Sequence, residues 1–100
     1  MRNWRERLDD HEESMYPIGV VADLLGVSVQ VVRRYDDEAL VEPERSEGGQ
    51  RRYSRRDIER LAHVLELADE GISLMGIRRI IELERQLESR TDEATPDGRG

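Results

Sequence analysis

The sharpest constraint on this chain is a short apolar periodicity that stops at a glycine. Ile18, Val21, Ala22 and Leu25 fall at i, i+3, i+4 and i+7, which is one face of a helix. Gly26 ends that face. Ser28 stands where an N-cap belongs, and Val29 and Val32, continued by Tyr35 or Asp36, offer the buried side of a second helix over 28–38. Two short helices joined through a glycine predict a helix-turn-helix.

The pattern then changes. Leu40-Val41-Glu42-Pro43 has strand character, Ser46 to Gly49 is rich in turn formers, and Gln50-Arg51-Arg52-Tyr53 reads as a returning strand. Gly48 and Gly49 suit the positive-φ positions of such a turn. Ser54 with Asp57 three residues on is a capping signature, followed by Ile58, Leu61, Ala62, Leu65 and Ala68 on one helical face as far as Gly71. Ser73 can cap a fourth helix, with Leu74, Ile77, Ile80, Ile81 and Leu87 as its apolar contacts and Arg78, Arg79, Glu82 and Arg85 on its wet side. The expected fold is mainly α: four helices with a small β-hairpin between the second and the third. With 4% aromatic residues and no phenylalanine, aliphatic side chains must build nearly all of the core.

Length and composition narrow the function classes. A chain of 100 residues is expected to form one domain with one modest core. It divides into an acidic, flexible leader over 1–15, a compact middle over 16–90 and a disordered tail over 91–100. No apolar run approaches the roughly 18–20 residues that span a bilayer, and no basic-then-apolar leader is present, so no membrane partner and a cytoplasmic location are expected. The absence of cysteine removes disulfides, thiolate metal sites and iron–sulfur ligation. His11 and His63 lie far apart and read as ordinary side chains, so no metal and no cofactor is expected. No phosphate-cradling glycine loop and no nucleophile paired with a general base is found, which argues against an enzyme.

The net charge of −7 opposes bulk attraction to nucleic acid. Its distribution matters more. Arg45, Arg51, Arg52, Arg55, Arg56 and Arg60 face only Glu47, Asp57 and Glu59 over residues 45–60, a basic patch in an acidic chain. Arg51, Arg52, Arg55 and Arg56 repel one another unless an anion is near, and a phosphate backbone is a natural one. Every basic residue is arginine, whose guanidinium makes bidentate contacts to phosphate and to guanine edges.

The segment IGVVADLLGVSVQVVRRYDDEAL, Ile18 to Leu40, resembles the opening of MerR-type regulators. Their Arg-x-Tyr pattern in the second helix is matched by Arg33 and Tyr35, and their Gly-x-Arg-x-Tyr wing pattern by Gly49, Arg51 and Tyr53. Within the superfamily, GGQRRYSRRDIERL and DEGISLMGIRRIIELERQLES look most similar to the heat-shock repressors called HspR. The resemblance covers residues 16–90. It departs at Ala39, where the family usually has glycine, and at Glu42, Glu44 and Glu47, carboxylates on or near the wing.

The resemblance implies a winged helix-turn-helix whose helix 28–38 enters the major groove of double-stranded DNA while the wing meets the adjacent backbone or minor groove. Arg33, Tyr35 and Arg51 would hold phosphates, Gln30, Val31 and Arg34 would meet base edges, and Arg45 would follow the wing into the minor groove. Ser28, Tyr53 and Arg55 complete the expected contact set. Three structural readings stay open beside it: Arg33 and Arg34 as simply solvated side chains, Arg33 pairing with Asp36 or Asp37 on its own helix, and Tyr35 and Tyr53 serving as core aromatics.

The function implied is a sequence-specific transcriptional regulator, a repressor of stress or chaperone genes with a chaperone as co-regulator. The rival readings are a protein-binding adaptor of the chaperone-modulator kind, motivated by the acidic charge, and an excisionase-like architectural factor. MerR-type regulators usually dimerise through a further long helix, which this sequence lacks after its fourth. Pairing is therefore expected either as a homodimer through other surfaces or as cooperative assembly on DNA.

Overall fold

In a computed structural model, which describes residues 4–7, 15–46 and 48–94, the chain runs α1 (Trp4–Arg7), β1 (Met15–Pro17), α2 (Ile18–Leu25), α3 (Val29–Asp37), β2 (Glu44–Arg45), β3 (Arg51–Ser54), α4 (Arg55–Asp69) and α5 (Leu74–Ala94). Two compact units divide within α4, Met1–Glu66 and Leu67–Gly100. The first holds the helix-turn-helix and an antiparallel sheet of order β1-β3-β2.

Local chemistry sets the helix boundaries. Pro17, extended at ψ 160°, sits at the N-cap of α2. Ser28 caps α3 with its Oγ accepting from the Val31 N–H at 3.3 Å. At α4 the capping box is reciprocal: Asp57 N–H donates to Ser54 Oγ at 3.1 Å and Ser54 N–H donates to Asp57 Oδ2 at 2.9 Å. Ser73 caps α5 by accepting from Gly76 N–H at 3.2 Å.

Three helices end in the same Schellman arrangement. Behind α2, Val27 N–H reaches Ala22 O at 3.0 Å around Gly26 at φ 73°. Behind α4, Ile72 N–H reaches Leu67 O at 3.2 Å around Gly71 at φ 90°. Behind α3, Leu40 N–H reaches Tyr35 O at 3.1 Å around a residue at φ 64° that is Ala39. The departure from the family pattern thus keeps the backbone shape that glycine provides, and its Cβ bears the left-handed strain.

The core of the first unit joins Val21, Ala22 and Leu24 of α2 to Val32 of α3, Val41, Tyr53 of β3 and Ile58, Leu61 and Ala62 of α4. Ile18, Leu25, Val29 and Tyr35 pack around it, half-buried. Trp4, from the stretch expected to be a flexible leader, is 3% exposed and belongs to the same core. In the second unit, Ile77 and Ile81 of α5 are buried, whereas Met75, Leu83 and Leu87 are exposed.

The sheet differs from the sequence expectation in two ways. The first hairpin strand is Glu44–Arg45, not Leu40–Pro43. Leu40 and Val41 are adjacent and both buried, whereas a strand with one face in solvent would expose one of the two. A third strand, Met15–Pro17, pairs with β3 along Met15↔Ser54, Tyr16↔Tyr53 and Pro17↔Arg52. α5 also continues through Ala94, past the boundary expected at 90. The rest of the tail, 95–100, and most of the leader, 1–3 and 8–14, lie outside the described residues, as does Glu47.

Candidate nucleic-acid interface

The outer face of α3 is cationic. Val32 points into the core, so Gln30, Arg33 and Arg34 point away from it and are exposed, with Val31 half-buried beside them. Among the described residues, Arg33 and Arg34 make no ion pair. The expected alternative, Arg33 paired with its own helix's carboxylates, is therefore not what the structure holds. Ser28 is exposed but its Oγ is committed to the cap. Tyr35 packs against the core, half-buried.

The hairpin stands beside α3 in a register that sorts its side chains. Pairing of Arg45 with Arg51 and of Glu44 with Arg52 puts Arg45, Arg51 and Tyr53 on one face, and Glu44, Arg52 and Ser54 on the other. Along the first face, exposure rises toward the tip: Tyr53 is 0% exposed, the Arg51 side chain 20%, and Arg45 stands at the surface. The tip closes through Ser46 N–H to Gln50 O at 2.8 Å and Gly49 N–H to Ser46 O at 2.9 Å. Arg45 Nη1 also donates to Gly49 O at 3.3 Å, holding the arginine across the turn. Gly49 takes φ 82°, as expected of one glycine of the pair.

Tyr53, expected to contact DNA, is instead a core residue with no surface to offer. Its hydroxyl donates to Asp36 Oδ2 at 3.0 Å. Burial pushes the phenol pKa up, the Asp36 charge and hydrogen bond push the same way, and Arg51 opposes them. The open alternative for this tyrosine, core packing with a polar tip, is the one observed.

Arg51 also turns inward. Its Nε lies 3.2 Å from Asp36 Oδ2 and its Nη2 3.1 Å from Asp37 Oδ1. Nη1 is buried without a hydrogen-bond partner among the described residues. One guanidinium thus spans two consecutive carboxylates of α3. Sequence reasoning counted Asp36 and Asp37 as neighbours of Arg33. Their role as the seat of the hairpin depends on contacts between residues far apart in the chain.

Arg55 opens α4 and is half-buried, its Nε 3.7 Å from Glu59 Oε2. The same carboxylate takes Arg5 Nη1 at 3.5 Å, and the Arg5 guanidinium lies 4.5 Å above the Trp4 ring. The structure therefore gathers Gln30, Val31, Arg33 and Arg34 on α3, brings Arg45 to the hairpin tip, and assigns Arg51 and Tyr53 to the junction between them. Among the described residues, no cluster of His, Cys, Asp or Glu has the geometry to hold a metal ion.

The family model described as "MerR HTH family regulatory protein" matches residues 16–84. The chain is 54% identical over 74 residues to a Streptomyces coelicolor protein named heat shock protein HspR, covering 73% of this chain and 49% of that protein. It is 33% identical over 73 residues to the HTH-type transcriptional regulator GlnR of Bacillus anthracis, covering 73% of this chain and 57% of that one. The chain thus spans about half the length of these relatives. Among solved structures it resembles that of HiNmlR, a MerR family regulator lacking the sensor domain, bound to promoter DNA: TM-score 0.71 at 30% identity, covering 80% of this chain and 61% of that one. The strand missed by the sequence reading completes a three-stranded sheet around the helix-turn-helix. With its hairpin wing beside α3, the chain is a winged helix-turn-helix protein and belongs to the MerR family of regulatory proteins.

Proposed function

We propose that this protein is a sequence-specific regulator of transcription that binds double-stranded DNA with α3 in the major groove and the wing against the neighbouring backbone. The observation that carries this reading is the exposed pair Arg33 and Arg34, uncompensated among the described residues while the carboxylates of the same helix are taken by Arg51. Two exposed cations on a helix that also presents Gln30 form an anion-seeking face with a base-reading side chain. The likeness to HiNmlR, solved on promoter DNA, supports the same docking.

In this reading Arg33 and Arg34 neutralise phosphates or meet guanine, and Gln30 offers a bidentate amide to a base edge, with Val31 packing against the groove floor. Ser28 and Tyr35 present α3 from its cap and its buried side. Arg45 enters the groove beside the wing tip, and Arg55 follows β3 directly at the start of α4. Repression of stress or chaperone genes is part of the same proposal, supported by the likeness to HspR. A chaperone co-regulator, pairing as a homodimer or cooperatively on the operator, and action in the cytoplasm belong to the same proposal. Among the described residues, no helix is long and apolar enough to cross a membrane.

The test is a titration of the purified protein against a fluorescent duplex from its own upstream region, at two salt concentrations and with an unrelated duplex as competitor. Salt-sensitive binding that survives the competitor supports the reading. No binding at low salt, together with retention of a chaperone from purified components, replaces it with the protein-adaptor reading.

A further inference from the structure

We infer that Arg51, the arginine of the wing motif, is not a phosphate contact but a positioning residue: with Asp36, Asp37 and Tyr53 it locks the wing to the DNA-facing helix at a fixed distance and angle. The inference rests on the DNA-binding reading above for its consequence, but its physical content lies in the free protein.

Three observations carry it. First, the Arg51 guanidinium is already matched by two carboxylates, through Nε to Asp36 at 3.2 Å and Nη2 to Asp37 at 3.1 Å. A phosphate approaching it meets those two negative charges before it meets a free cation. Second, Arg51 and Asp36 are both largely withdrawn from solvent, their side chains 20% and 11% exposed, so the pair is screened far less than a surface ion pair. Third, Tyr53 Oη converges on the same Asp36 Oδ2 from the same face of β3. Two residues of one strand thus grip one residue of one helix.

β1 holds β3 only as far as Arg52, so beyond that register the wing lacks a third strand. β2 is two residues long and pairs only with β3. A hairpin of that size is not stable alone. Beyond Arg52 its angle to α3 is therefore steadied where β3 meets α3, through Arg51 and Tyr53. Arg45, on the same face and nearer the tip, is the wing cation left at the surface. Locking Arg51 inward fixes where Arg45 points relative to Arg33 and Arg34. The carboxylates Asp36 and Asp37, which by charge alone would weaken DNA binding, become necessary for it.

That reversal of sign supplies the test. Arg51→Gln, Asp36→Asn, Asp37→Asn and the double variant Arg51→Gln/Asp36→Asn are compared with wild type, with folding checked by circular dichroism. In the free proteins, amide hydrogen exchange is read at the wing residues 44–51. The lock predicts at least about tenfold faster exchange there in Arg51→Gln and Asp36→Asn, with the double variant no faster than either single one. On the specific duplex it predicts weaker binding by about tenfold for both single variants, with the slope of log K against log salt unchanged. Asp37→Asn, a surface change that leaves Asp36 in place, predicts a smaller loss in the same direction.

Unchanged wing exchange in Arg51→Gln overturns the lock, whether or not the protein binds DNA. So does a salt slope shallower by roughly 0.9 in Arg51→Gln with equal or tighter binding by the two aspartate variants, because that pattern belongs to an arginine that neutralises a phosphate. Failure of every protein, wild type included, to bind the duplex sinks the DNA-binding reading alone, and the exchange data still decide the lock.

Discussion

The Tyr53 hydroxyl donates a 3.0 Å hydrogen bond to Asp36 Oδ2, joining the middle of β3, where the tyrosine is fully buried, to the last turn of α3. A tyrosine held neutral in this way titrates differently in the folded and unfolded chain. Its pKa lies above the ordinary 10.0 in the fold because burial and the Asp36 charge penalise the phenolate. Above pH 10.0 the unfolded chain releases this proton while the folded chain keeps it, so stability present in full below that value declines as pH rises. The sequence contains no lysine and no cysteine, so neither of those side chains competes with Tyr53 in this range. Urea midpoints measured at pH 9 and 11 should therefore fall more for the wild type than for Tyr53→Phe. Equal falls would mean that Tyr53 is not the group responsible.

Ala39 carries a strain that glycine would relieve. It holds φ 64° at the end of α3, the position that Gly26 and Gly71 occupy behind α2 and α4. The left-handed conformation costs an L-residue about 1–2 kcal/mol, partly offset by the greater chain entropy that glycine loses on folding. Ala39→Gly is expected to raise stability by about 0.5–1 kcal/mol in chemical denaturation, and Ala39→Val to lower it. A loss of stability in Ala39→Gly would contradict the assignment of that turn.

Trp4 should matter to stability although it lies near the start of the chain. It is 3% exposed and part of the core that joins α2, α3, β3 and α4. Truncating a buried tryptophan costs about 3–5 kcal/mol, and the low end applies where the vacated segment can move. Trp4→Ala is expected to cost about 3 kcal/mol, and Arg5→Ala, which removes an exposed ion pair and a cation–π contact, well under about 1 kcal/mol. Indole fluorescence during unfolding, with this sole tryptophan as probe, follows the transition. A Trp4→Ala protein as stable as wild type by circular dichroism would remove Trp4 from the core.

Gln30 and the arginines of α3 should separate by what they change. Gln30 is exposed on the outer face and uncharged, so Gln30→Ala is expected to alter the preferred base at one operator position by about 1–3 kcal/mol while leaving the salt slope alone. Binding-site selection from a randomised duplex pool checks this. An unchanged site with a reduced salt slope would assign Gln30 to the backbone instead.

What was legible in the sequence was what local chemistry decides. Ser28, Ser54 with Asp57, and Ser73 marked three helix starts because a cap is read within a few residues of itself, and Gly26 and Gly71 marked two ends for the same reason. The exposed set on α3 followed from helical periodicity once Val32 was placed inside. The rest depended on distant parts of the chain. β1 is three residues with a proline, a weak strand signal, and it exists because β3 offers it a partner. The first wing strand lies later than its sequence pattern predicts because Leu40 and Val41 carry strand propensity but are drawn into the core behind the Ala39 turn. Trp4 stands isolated in the sequence because its partners lie on other elements. Arg51 and Tyr53 read as ligand contacts because a motif records which residues recur, not which way they face. Two consecutive aspartates after Arg-x-Tyr were the available signal that a cation from elsewhere would be needed there.

Whether the outer face of α3 meets DNA is read from the salt dependence of operator binding in wild type and in the double variant Arg33→Gln/Arg34→Gln. Both side chains are exposed, so the variant should fold as wild type does. If each arginine neutralises one phosphate, the slope of log K against log salt becomes shallower by about 1.8, roughly 0.9 for each phosphate no longer neutralised. An identical slope and affinity in the double variant would contradict the account, because the exposed cations of α3 would then play no part in holding the duplex.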